Sequence, residues 1–501
     1  MGFRKLTAVG ATALVAALIM TGCGPSGEGA SADANLTIGS FVEPMSFDPA
    51  QAAEGHFLQY YQPVYDTLIR RTPDGEYEPM LATAWKLSDD NLTLTLDLRA
   101  EVTFTDGAVF NSEAAKANLD HFRASTGPLA TTLAAVESVD IVDDDTVDIV
   151  LNAPEPSLLF YLSNAAGLMG SPEALGSEDI ATTPVGSGPY VLERSVVGSE
   201  YTYVKRDDYW DPQLQKFDQI TIKLIEDATA IYNALSSGQI NAAPLTATVA
   251  DRAEADGLVA HTQGLDWQGL LLWDRGGQMQ PALGDVRVRQ AINYAIDKEG
   301  LLATVQSGRG EITSQVFGPE SDAYVADLED AYSYDPAKAK ALLADAGYAD
   351  GFTLPMPIVD SLPASARAAV VEQFAAVGIE IVWEETNDLI VEMRDYPAMW
   401  MSLSQPSTWQ NINQVVTPQA LWNALGYTDP EVERMVTSYQ FAEDEAAAAA
   451  TAAELGTYLV EQAWFAPWYR PDQLFYTDDT VSVELQPEQA VPSIYNYSPV
   501  A

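Results

Sequence analysis

The stretch Asp285-Val286-Arg287-Val288-Arg289-Gln290-Ala291-Ile292, continued by Ala295 and Ile296, sets its apolar residues at i, i+3, i+4, i+7 and i+8. That spacing predicts a helix with Val288, Ala291, Ile292, Ala295 and Ile296 on one buried face and Asp285 as its cap. A second helix opens at Asp335-Pro336, with Pro at the first helical position; its stripe is Ala339, Leu342, Leu343 and Ala346, and Gly347 closes it. Upstream the period becomes two. Leu92, Leu94, Leu96 and Leu98 alternate with Thr93, Thr95 and Asp97, the pattern of a half-buried strand. Val139-Asp140-Ile141 and Val147-Asp148-Ile149 flank the acidic turn Asp143-Asp144-Asp145 as two more strands. Ile220, Ile222 and Leu224 mark a strand that runs into a helix over Ala228 to Leu235, ended with the help of Gly238. The Ala-rich run Glu443 to Glu454 predicts a surface helix. Short strands alternating with capped helices make the chain mixed α/β.

The N-terminus reads as a processing segment. Arg4 and Lys5 precede the apolar run Leu6 to Met20, which is too short and too Ala-rich for a membrane span of about 20 strongly apolar residues. Met20-Thr21-Gly22-Cys23 follows and resembles the bacterial lipobox, in which the leader is cut before a cysteine that carries diacylglycerol. Met three positions before the cysteine, where Leu is usual, is a minor departure. Cys23 is the only cysteine of the chain, so the mature fold has no internal disulfide. Each buried CH₂ contributes about 0.8 kcal/mol to membrane binding, so two or more acyl chains anchor firmly where one does not. The following Gly24-Pro25-Ser26-Gly27-Glu28-Gly29-Ala30-Ser31 is small and polar. A tether of about 11 such residues spans on the order of 18 Å and holds the globular part near the membrane. The reading is a signal peptide over 1–22, and a lipidated Cys23 with its tether over 23–34.

The formal charge is −47, and −49 after loss of Arg4 and Lys5, with 23 basic residues against 72 acidic. A phosphate-binding surface needs clustered Lys and Arg, so nucleic acid is excluded as a partner. Acidity on this scale also disfavours long-range attraction of anionic solutes and promotes solubility in a salty, extracytoplasmic medium.

Catalytic readings fail on the residue inventory. Nucleophilic catalysis wants a base beside the nucleophile, and His56, His121 and His261 are isolated from any G-x-S-x-G setting. Zinc wants three or four His/Cys ligands, which the chain does not group. Gly186-Ser187-Gly188 lacks the third glycine of a nucleotide loop and reads as a turn. With 72 acids, chance carboxylate pairs are abundant, so a glycoside-processing enzyme survives only as a weak alternative. No cofactor and no metal is expected.

Ordered blocks across about 35–470 carry a family resemblance. They begin with Phe47-Asp48-Pro49, Tyr65-Asp66-Thr67-Leu68-Ile69, Pro73-Asp74-Gly75, Pro79-Met80-Leu81-Ala82-Thr83-Ala84-Trp85, Leu98-Arg99 and Val102-Thr103-Phe104-Thr105-Asp106-Gly107. They continue through Pro184-Val185-Gly186-Ser187-Gly188-Pro189-Tyr190, Asp207-Asp208-Tyr209-Trp210, the helix from Asp285, and Tyr334-Asp335-Pro336-Ala337-Lys338-Ala339-Lys340 with Gly347-Tyr348. The chain thereby resembles the extracellular solute-binding proteins of family 5, the dipeptide-, oligopeptide- and nickel-binding components of ABC importers. Read on their own, the blocks are scaffold. Asp74-Gly75 and Asp106-Gly107 are turns, Pro79 to Trp85 is a strand-to-helix packing element, and Arg287 and Arg289 pair with nearby carboxylates.

The resemblance implies a two-lobed periplasmic-binding-protein-like α/β fold (class II-like) with an additional domain in the first lobe. Domain I would comprise 35–64, 184–266 and 471–501, domain II 65–183 and domain III 275–470, with hinges near 267–274 and 468–471. Solute would be captured between the lobes by hinge closure and passed to a membrane permease, the protein acting as a monomer held at the outer face of the cell membrane. A sensory or interaction lipoprotein on the same fold is the alternative.

For the ligand site, aromatic residues are the signal. Trp400, Trp409 and Trp422 fall close together, and Ser402-Leu403-Ser404-Gln405-Pro406-Ser407-Thr408 between the first two is uncharged. In peptide binders of the family the equivalent loop carries an Asp for the ligand's α-amino group; here Ser404 or Gln405 stands there. An Arg that meets the dipeptide carboxylate in some members would fall near Asp360 or Ser361, where none is present. Trp400, Ser402, Ser404, Gln405, Trp409, Trp422 and Trp267 are the candidate ligand residues. Uncharged donors beside flat rings suit a neutral oligosaccharide or polyol, or the middle of a longer peptide. Trp85 and Trp210 are assigned to scaffold, and Trp273 is open to either role.

Overall fold

The computed structural model describes residues 34–500, so Cys23, the leader and most of the tether lie outside the described residues. Its largest sheet has ten strands. They are β1 (Asn35–Ser40), β2 (Tyr190–Val196), β3 (Glu200–Lys205), β4 (Gln219–Leu224), β5 (Ala242–Leu245), β6 (Val259–Gly264), β7 (Asp266–Leu272), β8 (Gly310–Ile312), β9 (Ala398–Ser404) and β10 (Phe465–Thr477). Their order is β9-β7-β10-β5-β1-β4-β3-β2, with β6 and β8 also paired to β10.

Strand β10 joins two halves of this sheet. Its first residues pair with β7, from Leu271 opposite Phe465 to Gln268 opposite Tyr469, and with β8. From Asp472 onward it pairs instead with β6 and β5. Strands β6 and β7 are separated only by Leu265, so two chain segments cross between the halves side by side. Each half has its own core. Residues from Leu36 to Ala242, joined by Phe475 to Tyr497, build one, and Trp267 to Tyr469 build the other. A smaller cluster around Ile231, Tyr232 and Leu235 leans on Leu474 and Tyr476. A separate four-stranded antiparallel sheet, Ala82–Leu87, Thr93–Leu98, Thr146–Leu151 and Val136–Asp143, contributes Leu94, Leu96, Val147 and Ile149 to the first core.

The local readings map onto these elements. Asp285 accepts from the Arg287 amide and caps a helix over Val286–Tyr294, whose Val288, Ala291 and Ile292 are fully buried. Asp335 caps Pro336–Asp345 through the Lys338 amide. The Ala-rich helix runs over Glu445–Glu461 and buries only its later residues, from Ala452 on.

Two readings are corrected. Pro79 to Trp85 is not strand-to-helix: Tyr77–Pro79 and Ala82–Leu87 are both strands, because Ala82 to Leu87 finds a sheet partner in Thr93–Leu98. Arg287 pairs with Asp285 as expected, but Arg289 is 5% exposed and meets no carboxylate among the described residues. Its guanidinium donates to the carbonyls of Leu283, Gln462 and Ala463, tying its helix to the segment that enters β10. Gly186-Ser187-Gly188 is a tight structural turn. A Cβ on Gly186 would come within 2.0 Å of the Val64 carbonyl oxygen, which only glycine avoids.

Candidate ligand cleft at the sheet crossing

Side chains alternate faces along a strand, so Trp400, Ser402 and Ser404 of β9 share one face. The register sets Ser404 opposite Asp266, Ser402 opposite Gln268 and Trp400 opposite Leu270 of β7. Asp266 and Gln268 therefore stand beside the uncharged serines on the same surface. A cavity of about 420 Å³ opens there, at the point where β6–β7 and β10 cross between the halves of the sheet. Its walls include Asp266, Gln268 and Ser404 from one half, and Phe41, His56, Asp472 and Gln473 from the other side of the crossing or from the crossing itself. This volume lies within the few hundred to 1,000 Å³ that small-molecule sites occupy.

The electrostatics of the cavity are one-sided. Among the described residues, no Lys or Arg lines it. Asp266 accepts one hydrogen bond, from the Ser402 hydroxyl at 3.2 Å, and burial pushes its carboxyl above the usual range against that bond. Burial also raises Asp472, with Arg309 opposing and Glu311 adding to the shift. Arg309 itself is held by Asp251 at 2.7 Å and Glu254 at 2.9 Å. Burial lowers the His56 imidazole, favouring its neutral form, and its ring packs edge-on to Phe41 at 4.5 Å. Phe41 is 40% exposed.

The sequence candidates separate into two groups. Ser404 lines the cavity, and Ser402 orients Asp266 from behind it. Gln405 turns away: its side-chain amide donates to the Val316 carbonyl at 2.9 Å. The tryptophans are packing residues in this form. Trp267 is fully buried edge-on to Phe465, and Trp400, 1% exposed, lies tilted against Trp468. Trp409 stacks on Tyr439 at 6.0 Å, and the Trp422 carbonyl accepts from the Trp273 indole. Phe41, His56, Asp266, Gln268 and Asp472 were not among the candidates. Only strand pairing over long sequence separations brings them to Ser404.

Further along, the two cores approach each other again. Ser157 and Ser407 hydroxyl oxygens lie 3.1 Å apart, and the Gln440 amide donates to the Pro154 carbonyl at 3.0 Å. A second cavity of about 490 Å³ lies here, between the four-stranded sheet and the helices Pro430–Gln440 and Glu445–Glu461. Trp85 and Tyr439 stand in its wall, and burial pushes its Glu155 up to about 7.

Both the sequence and the architecture have relatives among bacterial binding proteins. A model of the bacterial extracellular solute-binding proteins, family 5 Middle, matches residues 76–453. The chain belongs to this family. Heme-binding protein A of Haemophilus influenzae is 30% identical over 398 residues, covering 70% of this chain and 69% of that protein. The glutathione-binding protein GsiB of Salmonella typhimurium is 31% identical over 334 residues, 65% of this chain and 63% of that one. The match thus spans just under two thirds of the glutathione-binding relative. The solved structure of HbpA2 from Haemophilus parasuis superposes with a TM-score of 0.82 at 21% identity, covering 93% of this chain and all of that one. The fold is accordingly the two-lobed one of periplasmic binding proteins, with the two cores as its lobes. Membership makes this chain one of the bacterial extracellular solute-binding proteins, and the relatives named are binding proteins.

Proposed function

We propose that this family 5 protein is a lipid-anchored capture component, tethered through Cys23 to the outer face of the cell membrane. It closes its lobes on a peptide or another small polar solute and delivers it to membrane permease subunits. The observation that carries this reading is the position of the 420 Å³ cavity. It lies where, among the described residues, β6–β7 and β10 alone cross, with walls drawn from both sides, so rotation about the crossing opens and shuts it. The hinges are placed near 267–274 and 468–471, beside this crossing, between a first lobe of domains I and II and a second lobe over 275–470.

Small-angle scattering tests capture. Solute extracted from protein purified out of its own host, added back to protein freed of it, should reduce the radius of gyration. An unchanged scattering profile at saturating solute contradicts hinge capture. The anchor has its own test: Cys23→Ser should move the processed protein out of the detergent phase, and unchanged partitioning would refute lipidation.

A further inference from the structure

The uncharged run Ser402 to Thr408 is only one wall of the cleft; the other walls bring charge. Resting on the capture reading above, we propose that the cavity takes a solute bearing a positive charge, a primary ammonium or a guanidinium on an otherwise uncharged body. Asp266 and Asp472 are its counter-charges.

Five observations support this. Asp266 and Asp472 sit on neighbouring strands at the crossing and line the same cavity, to which no Lys or Arg of the described residues contributes. Asp266 has a single neutral donor, the Ser402 hydroxyl, although an ionised carboxylate can accept about four hydrogen bonds. Arg309, the cation that acts on Asp472, already serves two other carboxylates. A neutral solute closing over this wall would strip water from two carboxylates and return no counter-charge, whereas a cation supplies both charge and donors. Finally, Phe41, 40% exposed, stands in the cavity wall where a cation can meet an aromatic ring, and Gln268 and Gln306 line the same wall beside the uncharged remainder. The net charge of −47 draws the same class of solute toward the surface.

The test is titration calorimetry on protein refolded from denaturant to remove retained solute. The probes are agmatine and Nα-acetyl-lysine amide, set against Nα-acetyl-norleucine amide, which has a similar body without the charge, and against succinate. The two cations should bind, the other two should not, and Asp266→Asn or Asp472→Asn should weaken the cations about tenfold or more. Unchanged unfolding midpoints in both variants would show that the loss is local. Equal binding of the norleucine amide, indifference of the cations to both asparagine changes, or no cation binding at all overturns the charge assignment. Ser404→Trp, which fills the cavity, separates this from the capture reading. Neutral binding abolished by Ser404→Trp but kept in Asp266→Asn refutes only the charge, whereas cation binding kept in Ser404→Trp refutes the cavity itself.

Discussion

Asp66 is a fully buried carboxylate and Asp266 a partly buried one, and their surroundings differ in one decisive respect. Asp66, fully buried in the first lobe, accepts from Tyr209 at 2.8 Å, Trp210 at 2.9 Å and Tyr495 at 3.2 Å. Those donors come from distant parts of the chain, so the carboxylate ties residue 66 to the segment between β3 and β4 and to the C-terminal residues. Asp266, at the lobe crossing, has one hydroxyl and a cavity. Burial raises both carboxyls, so the direction of the shift does not distinguish scaffold from site. The supply of donors does. A buried acid with its partners in place holds the fold together, and one left short of partners is available to a ligand.

The largest effect should come from Asp66. Asp66→Ala leaves two hydroxyls and an indole N–H without their acceptor, and urea unfolding should show a loss of about 3 kcal/mol or more. Its pH dependence has a definite sign. The folded-state carboxyl is pushed up to about 6 from 3.8, by burial against the three donors and Arg206. The associated stability is therefore fully present below about pH 3.8 and lost as pH rises through 6. Relative to Asp66→Asn, wild type should lose about 3 kcal/mol of its advantage between pH 3.5 and pH 7.5. A flat difference would mean that the donors balance burial, and an advantage that grows with pH would mean that they outweigh it. Asp266→Asn should behave oppositely, leaving stability at pH 7 unchanged or raised by about 1 kcal/mol, since it removes an under-served charge. A loss as large as that of Asp66→Ala would make Asp266 scaffold and break the contrast. The smallest effect belongs to the contact between lobes. Ser407→Ala removes the partner of Ser157 and should cost about 0.5 kcal/mol or less, while speeding solute release in stopped-flow measurements.

The scaffold was far more legible in the sequence than the site, because scaffold signals are local. The stripe Val288, Ala291, Ile292 and the caps Asp285 and Asp335 lie within a few residues of what they organise. Arg289 was misread because a buried guanidinium served by backbone carbonyls looks, in sequence, like any surface cation. At the site, Ser404 was found and Asp266 was not. The carboxylate reaches Ser404 through the pairing of β7 with β9, across a chain separation that no periodicity reports. Trp400 and Trp409 drew attention as aromatic residues beside polar ones, yet the same ring surface serves core packing, and here it does. Phe41 and His56 carried no local signal: a lone aromatic and a lone histidine acquire meaning only when the fold sets them opposite β7.

Native mass spectrometry of the protein purified from its own host, beside its Ser404→Trp variant, tests the central claim most directly. The account predicts a noncovalent adduct of a few hundred daltons, within the range a pocket of this size accommodates, on the wild type and its loss from the variant at unchanged thermal stability. An adduct retained in equal amount by Ser404→Trp would place the solute elsewhere and contradict capture at the lobe crossing.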